Sequence, residues 1–376
     1  MEKSEFGTII RTPYTPNLSN RLLLKYSEHK FRFIRKAVSG FYEFAQYLYP
    51  VGPKSEIYAA ARKYLKENKV DAIIATGDPF VLFHYAAQLS TEFGIPWIAD
   101  YRDPWSQSFS TKKNVLQRKI DHFIEKRTVR SAHLISTVDQ LFKEKIQLLF
   151  PLKRIDVLPN GYDPDAVIHA QTVEQNKTTL SFAFVGTIYL WHPLERMLEA
   201  FNYFTQQHKE IDFKLNFYGT NSDELIEELV NSRYTNLASR TTIHPKMENS
   251  ILLENVAQNN ALLLFNYYEF TGTKIYDYLA LKRKIVLCFE NDTEALKLKE
   301  KYYFKSIETA IQPQKDILHE TNSGIVVKDA AHLQLVLKEL WDEFSTTGQV
   351  ACDSVGVEKY SRKVQVEKLA ELIRGI

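Results

Sequence analysis

The chain has 376 residues, 44% hydrophobic and 25% charged, with a formal net charge of +2. That length exceeds what one core usually organises, so two domains are expected, and the near-neutral balance argues against a nucleic-acid binder. Two cysteines, Cys288 and Cys352, give neither metal spacing nor a disulfide framework, which fits a reducing cytoplasm. The N-terminus "MEKSEFGTII" has no apolar signal segment, and no apolar run is long enough to span a bilayer.

The first patterned stretch is "RLLLKYSEHKFRFIRKAVSGFYEFAQYLYP", residues 21–50. Arg21, Lys25, Lys30, Arg32, Arg35 and Lys36 interleave there with Leu22, Leu23, Leu24, Phe31, Phe33 and Ile34. The pattern suits either a helical pair packed on the first domain or a basic amphipathic surface for anionic membranes. "SEIYAAARKYLKEN" then reads as a helix with Ser55 as its N-cap. "DAIIAT" (71–76) is a short apolar run suited to a buried parallel strand. "PFVLFHYAAQLSTEF" reads as helix, "IPWIAD" (95–100) as strand, and "KNVLQRKIDHFIEKRTVRSA" as a long amphipathic helix. "HLISTV" (133–138) is a strand followed by a helix to about residue 150. "RIDVLPNGYDPD" closes this half with a strand and a turn cluster.

Residues 171–178 are polar and read as a linker, after which the alternation restarts. Strands are expected at 180–185, 213–218, 241–243, 261–265, 284–289 and 324–327, with helices between most of them. Two such blocks in tandem imply an α/β chain of two doubly wound Rossmann-like domains. We expect residues 1–170 and 179–355 as the domains, with 356–376 a C-terminal helix that returns to the first.

Ligands of doubly wound sheets sit at the carboxyl ends of the strands. In the second block, "FVGT" places Gly186 and Thr187 there, "FYGTNSDE" places Gly219, with Asn221 and Ser222 as helix caps, and "IHPKMEN" places Lys246. "FNYYEFTGTK" leads through Gly272 and Thr273 into a helix that opens with Lys274. A cation in a first helical turn opposes the helix dipole, by roughly 0.3–1 kcal/mol, unless an anion such as a diphosphate binds there. Otherwise Lys274 only points into water and Gly272 eases a turn. Glu269 and Asp277 flank this element and can accept bonds from sugar or ribose hydroxyls; as an acid in a first turn, Asp277 is also favourable by itself.

At these residues the sequence resembles family 4 glycosyltransferases of the GT-B fold. "TGTKIYDYLALKRKIVL" (271–287) looks like the family's donor-site segment, with Glu269 at the first of two family glutamates and Asp277 standing at the second. "GIPWIADYRDPW" (94–105) resembles a motif of bacterial polysaccharide members, "VLPNGYDPD" the turn at the domain junction, and "FVGTIY" the first strand and loop of the nucleotide-sugar domain. The resemblance implies that Glu269 orients the donor sugar, that Asp103 orients an acceptor hydroxyl, and that Arg102 holds a phosphate or carboxylate. The plain alternative is an Asp100, Arg102 and Asp103 charge cluster that fixes its own loop.

Two departures stand out. The family's first loop usually gives the pyrophosphate a basic residue, whereas "GTIYLWHPLERM" offers none before Arg196, with His192 as the nearest substitute. The chain also opens at "EFGTIIRTPYTPN", which resembles family sequence well past the usual start, so the expectation is either an abbreviated N-terminal half or a truncated product.

The expected function is therefore a retaining, hexosyltransferase-like and metal-independent enzyme without a cofactor. It moves a sugar from a UDP-, GDP- or dTDP-sugar to a glycan or lipid-linked acceptor in surface polysaccharide synthesis. It would work in the cytoplasm, peripheral to the membrane through residues 21–50. The rival readings are a catalytically weak or inactive scaffold that binds a sugar nucleotide or a partner protein, and a sugar-nucleotide epimerase. Walker, G-x-G-x-x-G, G-x-S-x-G and H-E-x-x-H patterns are absent from the sequence.

Overall fold

The computed structural model describes residues 2–5, 7–108, 115–303 and 311–376. By contact the chain forms two compact units. The first holds the residues up to Val138 together with Phe142–Val157 and Ile373–Ile376; the second holds Asp139–Leu141 and Leu158–Leu372.

The first unit begins with a small hairpin of β1 (Glu2–Ser4) and β2 (Gly7–Ile9), followed by helices α1 (Leu18–Tyr26), α2 (Arg32–Ala45) and α3 (Ser55–Glu67). Ser55 is not the cap of α3 but its first residue. Its hydroxyl donates to the Gly52 carbonyl at 2.8 Å, and Lys54 takes the cap position. The chain then alternates through β3 (Ile73–Gly77), α4 (Val81–Phe93), β4 (Trp97–Tyr101), α5 (Val115–Val129), β5 (Leu134–Thr137), α6 (Gln140–Leu149) and β6 (Ile155–Val157). Lys113 and Asn114, expected at the start of α5, lie outside the described residues. The four strands β3 to β6 form a parallel sheet in sequence order. Its core gathers Phe83, Trp97, Tyr101, Trp105, Ile135 and Ile146.

The second unit adds α7 (Pro164–Val167), β7 (Leu180–Val185), α8 (Leu194–Gln207), β8 (Phe213–Tyr218), α9 (Asp223–Glu228), β9 (Thr241–His244), α10 (Asn249–Ala257), β10 (Ala261–Phe265), α11 (Lys274–Leu281), β11 (Lys284–Cys288), α12 (Thr293–Tyr302), α13 (Pro313–Thr321), β12 (Gly324–Val327), α14 (Ala330–Thr347) and α15 (Arg362–Arg374). The six strands β7 to β12 are parallel, in the order β12-β11-β10-β7-β8-β9. Every residue of β7 and β10 is buried, because helices cover both faces of a sheet of this kind. Phe182 and Phe184 face one core with α8 and α14; Ala183 and Val185 face a second with α10 and α11.

The polar stretch 171–178 is bound to the second unit. Gln171 donates to the Ala280 carbonyl at 3.0 Å, Arg283 to Val173 at 2.6 Å, and Asn260 to both Gln175 and Asn176 at 2.9 Å.

Candidate functional site

The chain starts the second sheet at β7, builds outward through β8 and β9, then crosses back to β10 on the other side of β7. This reversal separates the loops that leave β7 and β10, opening a crevice at the carboxyl ends of the two strands. Both loops begin with a residue tied across the sheet. Gly186 N–H donates to the Tyr218 carbonyl at 3.0 Å, and Asn266 N–H to the Cys288 carbonyl at 2.6 Å.

Gly186 has a φ of +96°, and a Cβ there would lie 3.4 Å from Lys274 Cε. The lysine stem therefore passes over the glycine, which keeps the switch point open at the level of the backbone. Lys274 is the first residue of α11, after Thr273, whose side chain makes no capping bond. Its Nζ stands 3.6 Å from Asp277 Oδ2, one helical turn on. Burial pushes the Asp277 carboxyl up, and the cations of Lys274 and Arg362 oppose that shift. The pose of α11 is set from its buried face, where Tyr278 OH accepts the Val185 N–H at 3.0 Å.

The β10–α11 loop is held from below. Gln314, buried at the start of α13, accepts from Tyr267 N–H at 2.7 Å and donates to the Thr271 carbonyl at 3.1 Å. Asn266 accepts from Tyr268 N–H at 2.7 Å and donates to the Phe289 carbonyl at 3.2 Å. Glu269 lies between these clamps and is 5% exposed. Gly272 turns the chain at φ +65°, where a Cβ would stand only 2.5 Å from the Tyr267 ring, so the turn admits glycine alone without moving that ring.

One strand away Gly219 packs against Lys246, the Cγ of which would sit 3.4 Å from an added Cβ. Asn221 is not a helix cap. Its Oδ1 accepts from Ile188 N–H at 2.7 Å and so ties the loop after β8 to the loop after β7. Ser222 takes the cap position of α9 without a side-chain capping bond. Thr187 and Lys246 are exposed.

His192 does not offer a cation. It is 4% exposed, its ring is packed among Trp191, Phe265 and Tyr267, and desolvation takes its pKa down to about 3. Its Nδ1 accepts from Tyr189 N–H at 3.2 Å, while Nε2 has no hydrogen-bond partner among the described residues. Since native His192 stays neutral and unfolded histidine protonates near 6.5, acid favours the unfolded chain. Its contribution to stability is complete above pH 6.5 and is lost as pH falls from 6.5 towards 3, by about 1.4 kcal/mol per pH unit. His192→Phe should therefore lose less stability than the wild type when urea melts at neutral pH and about pH 4.5 are compared.

A neighbouring cavity of about 460 Å³ is lined by Ile188, Tyr189, Arg196, Glu199, Leu225 and Arg233. Its arginines are already paired, Arg196 with Glu199 at 2.8 Å and with Asp292 at 3.1 Å, and Arg233 with Glu195 at 2.5 Å. It is a poorer seat for an anion than the Lys274 crevice.

In the first unit, Asp100 is the anchor of the "DYRDPW" loop. It accepts from Thr76 at 3.1 Å, Ser136 at 2.8 Å and Arg102 Nε at 2.9 Å. Asp103 is exposed, with its carboxyl pushed up by desolvation and by the Asp78 carboxylate. Behind the loop, the fully buried Glu125 of α5 accepts from Tyr101 OH at 2.9 Å, Ser106 N–H at 3.0 Å and Gln107 at 3.1 Å. Burial pushes the Glu125 carboxyl up against these three bonds.

Residues 17–166 match the sequence profile of Glycosyltransferase Family 4. Among solved structures, the chain is similar to HepE of Anabaena in complex with UDP, with a TM-score of 0.60 at 12% identity over 85% of this chain and 82% of that one. It is similar to the α,α-trehalose-phosphate synthase (UDP-forming) of Burkholderia vietnamiensis, with a TM-score of 0.58 at 12% identity over 89% and 76%. A third likeness is to the sucrose-phosphate synthase of Thermosynechococcus elongatus, at 0.55 and 14% over 85% and 77%. The fold is that of the GT-B glycosyltransferases. No curated protein matches the sequence.

In this GT-B chain, Lys274 brings Gly186 and Asp277 together at the start of α11, with Gly272 and Thr273 leading into that helix and Glu269 buried in the loop before them. Gly219 and Lys246 make a second pair beyond β8. Arg102 and Asp103 belong to the first unit. Gln314, Asn266 and Glu125 carry no local signal in the sequence, and Asn221 reads locally as a cap. Each is a polar side chain that becomes informative only once its distant partners are known.

Proposed function

We propose that the chain is a retaining glycosyltransferase that moves a hexosyl unit from a nucleotide-diphosphate sugar to a glycan or lipid-linked acceptor. Surface polysaccharide synthesis is the setting that fits, in the cytoplasm and with membrane contact through residues 21–50. The observation that carries the reading is the Lys274 stem lying over Gly186 at the start of α11, at the switch point of the second sheet. In the reaction, the bond between the anomeric carbon and the diphosphate oxygen breaks and the leaving diphosphate takes up the bonding pair; the acceptor oxygen forms its bond to the anomeric carbon from the same face, and the hydroxyl proton passes to the leaving diphosphate oxygen. Lys274 and the first-turn N–H groups of α11 meet that charge, with Lys246 as a second cation and no metal required. Glu269, buried in its clamped loop, orients the donor sugar, with Asp277 beside it; Asp103 orients the acceptor hydroxyl. The HepE complexes with UDP and UDP-glucose favour a uridine donor.

A second reading has one specific observation in its favour. His192 is buried and neutral, so the β7 loop brings no cation to a diphosphate. A scaffold that binds a sugar nucleotide or a partner protein without turnover is consistent with that. Calorimetric titration with UDP-, GDP- and dTDP-sugars in chelator, followed by transfer assays that read the anomeric configuration, separates the readings. Metal-free binding with transfer and retained configuration is expected. Binding without transfer favours the scaffold, conversion of donor without acceptor points to an epimerase, and no binding of any donor defeats the proposal.

A further inference from the structure

Two helices of the first unit turn bulky apolar side chains to water at helical spacing. On α2, Phe33, Phe41 and Phe44, with Leu48 just past its end, form one stripe, and Phe33 and Phe41 are 86% and 66% exposed. On α5, Leu116, Ile120 and Phe123 form another, with Leu116 and Phe123 at 67% and 65%. Only Ala45 of α2 is buried. An amphipathic helix of a folded unit normally turns such a stripe inward, since exposed apolar area forfeits the gain of burial. The two stripes meet at a groove of about 940 Å³, where Phe44 and Leu48 stand with Ile120 and Phe123, and Lys119 and Arg127 share the walls.

The charge around the stripes has one dominant sign. Arg32 and Lys36 lie beside Phe33 on α2, and Arg118, Lys119, Lys126 and Arg127 flank the stripe on α5, against Glu43, the half-buried Asp121 and the groove-lining Glu92, which is paired with Arg62 at 2.7 Å. Among the described residues no helix is long and apolar enough to cross a membrane. We propose that α2 and α5 together form a face that lies on the surface of an anionic lipid bilayer. The apolar stripes would enter the boundary between headgroups and chains, the cations would meet lipid phosphates, and the groove would take the end of a lipid chain. Charge complementarity selects this occupant. A second copy of the chain would set two cationic faces against each other, which like-charge repulsion opposes. The proposal extends the membrane contact read from residues 21–50 to a second helix. It rests on that half of the functional reading and not on the transfer chemistry.

Flotation of the full chain with phosphatidylcholine vesicles, with and without phosphatidylglycerol, tests it with no sugar nucleotide present. Failure to float therefore leaves the donor titration untouched, and the reverse holds. The wild type should float with the anionic vesicles and be released by salt. Phe41→Ser combined with Phe123→Ser, both at exposed positions, should lower the bound fraction roughly tenfold. Arg32→Glu with Lys36→Glu should abolish the preference for phosphatidylglycerol. Unchanged circular dichroism would show that these variants are folded. The proposal is overturned if the wild type does not float with anionic vesicles, or if the double phenylalanine variant floats as well as the wild type. A concentration-dependent dimer that the phenylalanine variant abolishes, without vesicle binding, would overturn it in favour of a second copy.

Discussion

Replacing Lys274 with alanine should weaken sugar-nucleotide binding by roughly ten- to a hundredfold, because a hydrogen bond to a charged group contributes about 1.5–3 kcal/mol. The geometry makes this residue hard to replace. Its stem is laid over Gly186, and its ammonium stands at the amino end of α11, where the dipole already favours an anion. No other cation of the β7 loop can take over. His192 is buried and neutral, and Arg196 is committed to Asp292 and Glu199. Folding should hardly change, since the Lys274–Asp277 pair is partly exposed and such pairs contribute at most about 1 kcal/mol. Removal of the lysine also takes away a cation that opposes the upward shift of Asp277, so that carboxyl should titrate higher in the variant. Calorimetry with the preferred donor and a thermal melt check both statements. Unchanged donor affinity would show that Lys274 is a solvated surface charge and remove the main support for a diphosphate seat.

Replacing Gln314 with leucine should lower the turnover of transfer by roughly a hundredfold if Glu269 acts on the donor, since a misplacement of about 1 Å costs that much. Gln314 touches no proposed substrate. It is a positioning residue whose carboxamide spans the loop, accepting from Tyr267 at one end and donating to Thr271 at the other. Leucine leaves both backbone groups without that partner, and each buried unsatisfied group costs about 1–3 kcal/mol. The conservative change Gln314→Glu distinguishes positioning from general destabilisation. A carboxylate still accepts from Tyr267 N–H but cannot donate to Thr271 O, so its turnover should fall between wild type and leucine. A purely structural role would lower stability in step with substitution while kcat per folded molecule stayed constant. Steady-state kinetics with active-site titration, together with urea melts, separate the two.

The sequence by itself determined the alternation and most of the strands. Runs such as "ALLLF" and "LSFAFV" are apolar without a break because both faces of a parallel strand are buried, so local composition alone marks them. It also placed Gly186, Gly219, Gly272 and Lys274 after strands, since a glycine between an apolar run and a helix is a local signal. Tertiary structure decided the rest. Gln314 meets Tyr267 across 47 positions and Glu125 meets Ser106 across 19, and no periodicity reaches over such separations. Asn221 reads as a cap in any local window, yet its partner is Ile188, because β8 lies beside β7 in the sheet. His192 looks like a substitute cation in sequence, but the aromatic rings packed around it strip its water and keep it neutral. The stretch 171–178 has the polar composition of a linker, yet its partners, the Ala280 carbonyl of α11, Asn260 in the turn before β10 and Arg283 in the turn before β11, come within reach only after those elements have assembled. Strand identity is written in local hydrophobicity, whereas the state of a polar side chain depends on what folding brings against it.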